Sequence, residues 1–336
     1  MKKVLITGCA GFLGANLCEH YLKLDWHVVG IDNLIGGYRS NVPKEVEFHE
    51  LCLGELRAIS PFFKGVDLVI HTACTAYEGL SVFSPSLINW NTSQIAVNTM
   101  IAALNNDVSK FIHCSSMARY GAIVGNDKYT EDMVCNPCDP YGIAKYSTEK
   151  MLANIASTHG ISLNIAVPHN IVGPKQKYDD PFRNVASIMI NLMLQSRQPI
   201  IYGDGLQTRC FSDIEDCIAC LVSLSNYTGT TGEIFNIGPD EEPITIIDLA
   251  KLIATKLDFD LKPIFKPGRP QEVKHALCSS DKARKLLNYQ TTVSLDRSID
   301  KLIDYISELG PKPFEYHLPI EIQSSLIPET WSKQLF

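Results

Sequence analysis

No stretch of this 336-residue sequence is apolar for long enough to span a bilayer, which takes roughly 20 consecutive apolar residues in a helix. Basic residues are not in excess either: 30 lysines and arginines face 37 acids, for a formal net charge of -7. Nucleic acid and anionic membrane surfaces call for a cationic stripe, so neither is an expected partner. Internal repeats and low-complexity segments are missing, so no repeat architecture is expected. No export signal is expected either. Two lysines open MKKVLITGCAGFLG, but the apolar run behind them ends at Gly8, too soon for a signal peptide. Eleven cysteines, an odd number, therefore read as reduced thiols in a cytoplasmic protein. The pairs Cys135/Cys138 and Cys217/Cys220 have a metal-like spacing. No histidine spacing supports them and the second pair falls in a helical pattern, so no metal is expected.

What is present is a composition of 45% hydrophobic residues, ordinary for a globular chain of one large α/β domain or two. Over the first ~170 residues, short β-branched runs alternate with longer amphipathic segments, the sequence form of a parallel sheet with crossover helices. The runs are KKVLIT, HVVGID, VEFHEL, VDLVIH, KFIHCS and SLNIAV. Directly after the first come Gly8, Gly11 and Gly14, opening a helix. Glycines there let backbone N–H groups approach a pyrophosphate at a helix N-terminus, where the helix dipole also favours negative charge. Asp32 ends the second run, where a carboxylate accepts hydrogen bonds from ribose hydroxyls and repels a 2'-phosphate. That favours NAD over NADP, with Arg39 nearby keeping the alternative open.

Further on, a hydroxyl, a phenol and an amine occur together in HCSSMARYG and PYGIAKY. Tyr141 and Lys145 are spaced i and i+4, so a helix after Pro140 puts both on one face. An ammonium close to a phenol favours the phenolate, which pulls a tyrosine from ~10 towards neutrality, where it acts as a base.

The GxxGxxG spacing, the serine and YxxxK are joined by VIHTAC, Asn91, VPHNIVGP, YGDGLQTRCF and GRPQEV. Together these pieces resemble the extended short-chain dehydrogenase/reductase family, and within it the NAD-dependent nucleotide-sugar 4-epimerases. The resemblance covers nearly the whole chain. It implies a Rossmann-type doubly wound parallel sheet in residues 1–175 and a smaller C-terminal α/β substrate-binding lobe in 176–310. The chain is free to cross between the two, and 311–336 form a C-terminal wrap. Implied catalytic residues are Ser116, Tyr141 and Lys145. NAD is implied to lie against Gly8, Gly11, Phe12, Leu13, Gly14, Asp32, Asn33, Leu53, Asn91, Tyr141, Lys145 and Pro168. A nucleotide-diphosphate sugar is implied to meet Ser116, Asn170, Arg209, Arg269 and Glu272, the two arginines on its diphosphate and Glu272 on its ribose. A homodimer through the helices containing Asn91 and Tyr141 is implied too. Dehydratases of the family place an Asp and a Glu after the Ser or Thr; here stand Met117 and Ala118, neither of which moves a proton. Ala276, four positions past Glu272, implies a pocket roomy at the sugar C2.

Two residues depart from the family pattern. Cys52 stands where the third strand normally ends with an acid contacting adenine, and Arg119 is expected to brace Glu131 or Asp132. His169 is expected to be a packed loop residue, the methionines after Asn184 to be core, and Trp331 and Phe336 to pack on the chain's own surface. Three readings stay open at this point: a 4-epimerase, a UDP- or GDP-linked 4-dehydrogenase or reductase with the same Ser/Tyr/Lys set, and a non-catalytic NAD-binding sensor.

Overall fold

The computed structural model describes residues 1–122, 128–241, 243–270 and 272–336. The β-branched runs become strands Lys3–Thr7 (β1), His27–Asp32 (β2), Glu47–Glu50 (β3), Leu68–His71 (β4), Lys110–Cys114 (β5) and Ser162–Pro168 (β6). Glu233–Ile237 (β7) joins them from far down the chain. They form one sheet in the order β7-β6-β5-β4-β1-β2-β3, every pairing parallel. Such strands are buried on both faces, and β1 shows how. Val4 and Ile6 point into the core shared with helices Phe12–Lys23 and Ile214–Asn226, whereas Leu5 points into the core under helices Ile95–Leu104 and Pro140–His159.

The strand order reverses between β1 and β4, and a crevice opens at the carboxyl ends there. Thr7 and His71 are register partners, so Gly8 and Thr72 leave the sheet side by side. Gly8 has φ +71°, and a Cβ on it would lie 2.8 Å from the Ala73 Cα. A Cβ on Gly14 would collide with the carbonyl of Gly8. Both glycines therefore serve a turn too tight for any side chain.

A second layer packs beside the sheet. Helices Val185–Leu194, Ile246–Lys256 and Leu295–Leu309 share an apolar core with Val172, Ile201 and Phe211. The chain crosses between the two bodies, since 214–226 and 233–237 return to the sheet before 246–256 leave it. No helix among the described residues is long and apolar enough to cross a membrane.

Candidate active site

The first helix, Phe12–Lys23, begins at Gly11 with no side-chain cap and no acid in its first turn. Its leading N–H groups are thus left for an external anion, with the dipole in favour. Gly8, Gly11, Phe12, Leu13, Gly14, Asp32, Asn33, Leu53 and Asn91 all line this narrow groove. Asp32 is buried, and each carboxylate oxygen already accepts one backbone N–H, from Ala10 at 2.9 Å and Leu34 at 2.7 Å. Burial raises its pKa while those N–H groups hold it down. Asn91 sits in a π-helical turn, Trp90–Gln94, inside a longer helical run. Cys52 does not reach the groove; its Sγ accepts the Gly54 N–H at 3.4 Å, and Leu51 and Leu53 form the wall instead. Arg39 stacks over Phe48, 4.1 Å from the ring centre.

Where the groove meets a cleft of about 400 Å³, the structure brings Ser116 and Tyr141 together. Pro140 begins the helix Pro140–His159, and Asp139 caps it by accepting the Gly142 N–H at 2.9 Å. Tyr141 is only 5% exposed, and the Ser116 hydroxyl in the same cleft favours its phenolate. Lys145 follows one turn on, on the same buried face, as the spacing requires. Its Nζ donates to the Cys114 carbonyl at 2.8 Å and stands 5.8 Å from the Tyr141 ring centre. The phenol is held well above its ordinary value by burial, with Cys74 adding to this, while Ser116 and Arg183 pull it down. Lys145 also lines neither cavity, and Pro168 lines the large cleft rather than the groove.

The far side of the cleft carries Asn170, Arg209, Arg269, Glu272 and Ala276. Asn170 donates to the Cys210 carbonyl at 3.0 Å. Arg209 donates to the carbonyls of Thr208 and Val273, each at 2.8 Å, which fixes its guanidinium. Arg269 and Glu272, assigned to different parts of a ligand, pair with each other at 3.2 Å. Burial raises Glu78, also in the cleft, to about 6.

Several lining residues escaped the sequence reading. Arg183 and Glu78 come from irregular or very short segments with no period to mark them. Asn184 had a signal, an Asn directly before an apolar helical run, and it does cap Val185–Leu194. Met189 belongs to the core as expected but also faces the cleft. Trp331 and Phe336 pack on the chain's own body as expected, Trp331 on Phe182 and Phe336 on Phe314, and both also line the cleft. Trp331 is 4% exposed, its indole N–H donating to Pro181 O at 3.1 Å.

Arg119 braces, but not through Glu131 or Asp132. It pairs with Glu149 at 2.9 Å, while Glu131 accepts the Asn236 N–H. The ring edge of His169 meets Pro239 O at 2.9 Å in a fully packed setting. All eleven cysteines are unpaired, and the described residues hold no cluster able to bind a metal ion.

Residues 4–238 match the model of the NAD dependent epimerase/dehydratase family. The chain belongs to that family. A putative UDP-glucose 4-epimerase of Methanocaldococcus jannaschii is 28% identical over 309 residues, covering 90% of this chain and 98% of that protein. The crystal structure of a UDP-glucose 4-epimerase from Thermotoga maritima with UDP-glucose superposes with TM-score 0.86 at 27% identity, covering 91% and 99%. A UDP-glucose 4-epimerase from Thermus thermophilus in complex with NAD gives TM-score 0.83 at 25% identity, covering 91% and 99%. NAD is the cofactor, and the uncapped helix start and Asp32 suit it.

Proposed function

We propose that this family member is a nucleotide-diphosphate-sugar 4-epimerase, working in the cytoplasm on a UDP-, GDP- or dTDP-linked sugar. The observation that carries the reading is the Ser116–Tyr141 hydroxyl pair, set where a dinucleotide groove opens into an arginine-bearing cleft. When bound, NAD supplies the acceptor and donor of a hydride at the sugar carbon.

The remaining work falls to the chain. Tyr141 takes the proton of the C4 hydroxyl and returns it after the flat keto sugar has turned. Ser116 holds that same oxygen through its hydrogen bond. Lys145, anchored on Cys114 O, fixes the helix face and offers its remaining N–H groups to ribose hydroxyls. Arg209 and Arg269 hold the diphosphate, Glu272 the nucleoside ribose, and Asn170 bonds the sugar nucleotide beside them. Met117 and Ala118 supply no acid or base beside Ser116, so water is not eliminated and the sugar leaves inverted. Eleven free thiols support a reducing compartment.

Incubation with a panel of UDP-, GDP- and dTDP-sugars, following NADH by absorbance, tests this. An inverted sugar without net NADH is expected. Accumulating NADH or keto sugar would instead mean a dehydrogenase. Tyr141→Phe should lower kcat by about a hundred- to ten-thousand-fold with NAD binding retained; unchanged turnover removes the proposed base.

A further inference from the structure

Among the described residues, only one charged side chain lines both the dinucleotide groove and the substrate cleft: Arg183. It stands on a purpose-built support. The guanidinium lies over the Tyr77 ring, 5.8 Å from its centre, and the Tyr77 hydroxyl donates to Asp180 Oδ2 at 2.7 Å. The other oxygen of Asp180 accepts the Phe182 N–H at 2.9 Å. Each Asp180 oxygen thus accepts one bond, from Tyr77 or from Phe182; its charge favours the Arg183 cation from a distance, and no carboxylate oxygen among the described residues lies within 4.0 Å of the guanidinium nitrogens. A guanidinium has five N–H donors in a planar fork, so most of them remain for a ligand. The other two cleft arginines differ. Arg209 is tied to backbone carbonyls and Arg269 to Glu272.

Arg183 lines the same cleft as Tyr141, and its charge favours the phenolate. If Tyr141 takes the proton from the C4 hydroxyl, a cation beside the phenol faces what C4's neighbours carry. On a hexopyranose these are the C3 hydroxyl and, through C5, the C6 group. A neutral hydroxymethyl uses one or two N–H donors, whereas a carboxylate at C6 satisfies a planar fork with two charged hydrogen bonds.

Resting on the 4-epimerase reading above, we infer that Arg183 receives the C6 carboxylate of the substrate, making the preferred substrate a nucleotide-linked uronic acid. The same guanidinium chemistry would suit the cofactor's diphosphate. That anion already has the uncapped start of the Phe12–Lys23 helix, so the sugar carboxylate is the better match. No bond forms or breaks at Arg183; it selects and orients.

The test compares matched pairs that differ only at C6, UDP-glucuronate against UDP-glucose and GDP-mannuronate against GDP-mannose, on the NAD-loaded full chain. One acid should exceed its neutral partner by about 10-fold or more in kcat/KM. Arg183→Gln should lower that acid-to-neutral ratio by about 30-fold, and Arg183→Lys, which keeps the charge but not the fork, by less. A wild-type preference for the neutral sugars, or a ratio that Arg183→Gln leaves unchanged, overturns the inference. So does a fall in NAD affinity at constant ratio, which would assign the guanidinium to the cofactor's diphosphate. If no pair is turned over while another neutral sugar of the panel is, the inference is overturned and the 4-epimerase reading stands; if nothing in the panel is turned over, that reading fails separately. The same ratio is then read by calorimetric binding of each pair to NAD-loaded wild type and Arg183→Gln.

Discussion

Glu78 opens onto the water of the cleft, yet protein walls it on most sides, and its carboxylate is pushed up to about 6. Lost solvation contributes most and the neighbouring Asp139 adds to it, whereas Arg209 and Arg269 pull the other way. A negative charge beside the two arginines proposed for a diphosphate weakens their grip on it. As pH falls through 6, Glu78 takes up a proton and that repulsion goes. Nucleotide-sugar affinity for the NAD-loaded protein should therefore tighten about 3- to 10-fold between pH 7.5 and 5, modest because cleft water screens the charge. Calorimetric titration at the two pH values measures this, and Glu78→Gln should bind tightly at both. Stability follows the same residue with its own sign. The folded pKa lies above the ordinary 4.5, so the folded state holds the proton longer, and stability falls as pH rises between 4.5 and 6. Glu78→Gln should then raise Tm at pH 7.5, with the gain gone near pH 4. A pH-independent affinity in the wild type would show that Glu78 does not face the diphosphate.

The helix Pro140–His159 shows how one element keeps its functional face in place. Tyr141, Lys145, Thr148, Glu149, Leu152 and Ala156 form its buried side. One turn beyond Lys145, Glu149 accepts from Ser115 and pairs with Arg119, both partners 2% exposed. This ties the helix to the end of the strand Lys110–Cys114, from which Ser116 follows. Removing one partner leaves a buried charge unpaired, so Glu149→Ala should destabilise by about 3–5 kcal/mol. Arg119→Met combined with Glu149→Leu should cost much less than the two single changes summed, because neither charge is then stranded. Denaturant unfolding reads both, and simple additivity would show that the pair is not coupled. The spacing of Tyr141 and Lys145 was legible in the sequence because a helix has a period, and so was the glycine turn between a strand and a helix. The partner of Arg119 was not, since a bond across 30 residues between two elements leaves no periodic trace. The face of Lys145 was legible from the helical period, but its bond to the Cys114 carbonyl was not, because that depends on how the helix docks on the sheet. Arg183, Glu78 and Trp331 reach the cleft from irregular or very short segments, where sequence distance says nothing about direction.

At the scale of the whole molecule, the segment after Gly310 closes the cleft rather than merely covering the body. Trp331 and Leu318 share an apolar cluster with Tyr77, Phe182 and Tyr141 itself. The indole meets Phe182 and Phe83 edge-on, at 5.4 and 6.1 Å between ring centres. The last residues thereby help exclude water from the phenol, in line with its raised pKa. The opposite face of the same region tells a different story. Ile143 and Met151 on the Tyr141 helix are 52% and 40% exposed, and Trp90 on the run containing Asn91 is 50% exposed. Large apolar side chains presented by two adjacent helices suit a second copy of the chain, and a symmetric pairing would bury them on both partners. We therefore expect a homodimer across these helices. Ile143→Lys places a charge in that contact, so sedimentation velocity at micromolar concentration should show a shift from dimer towards monomer. NAD affinity should persist, because the groove lies on the inner side of the helix pair. A wild-type chain that sediments as a monomer at tens of micromolar, roughly the range where a standard-sized interface is already formed, would show that these side chains have no such partner.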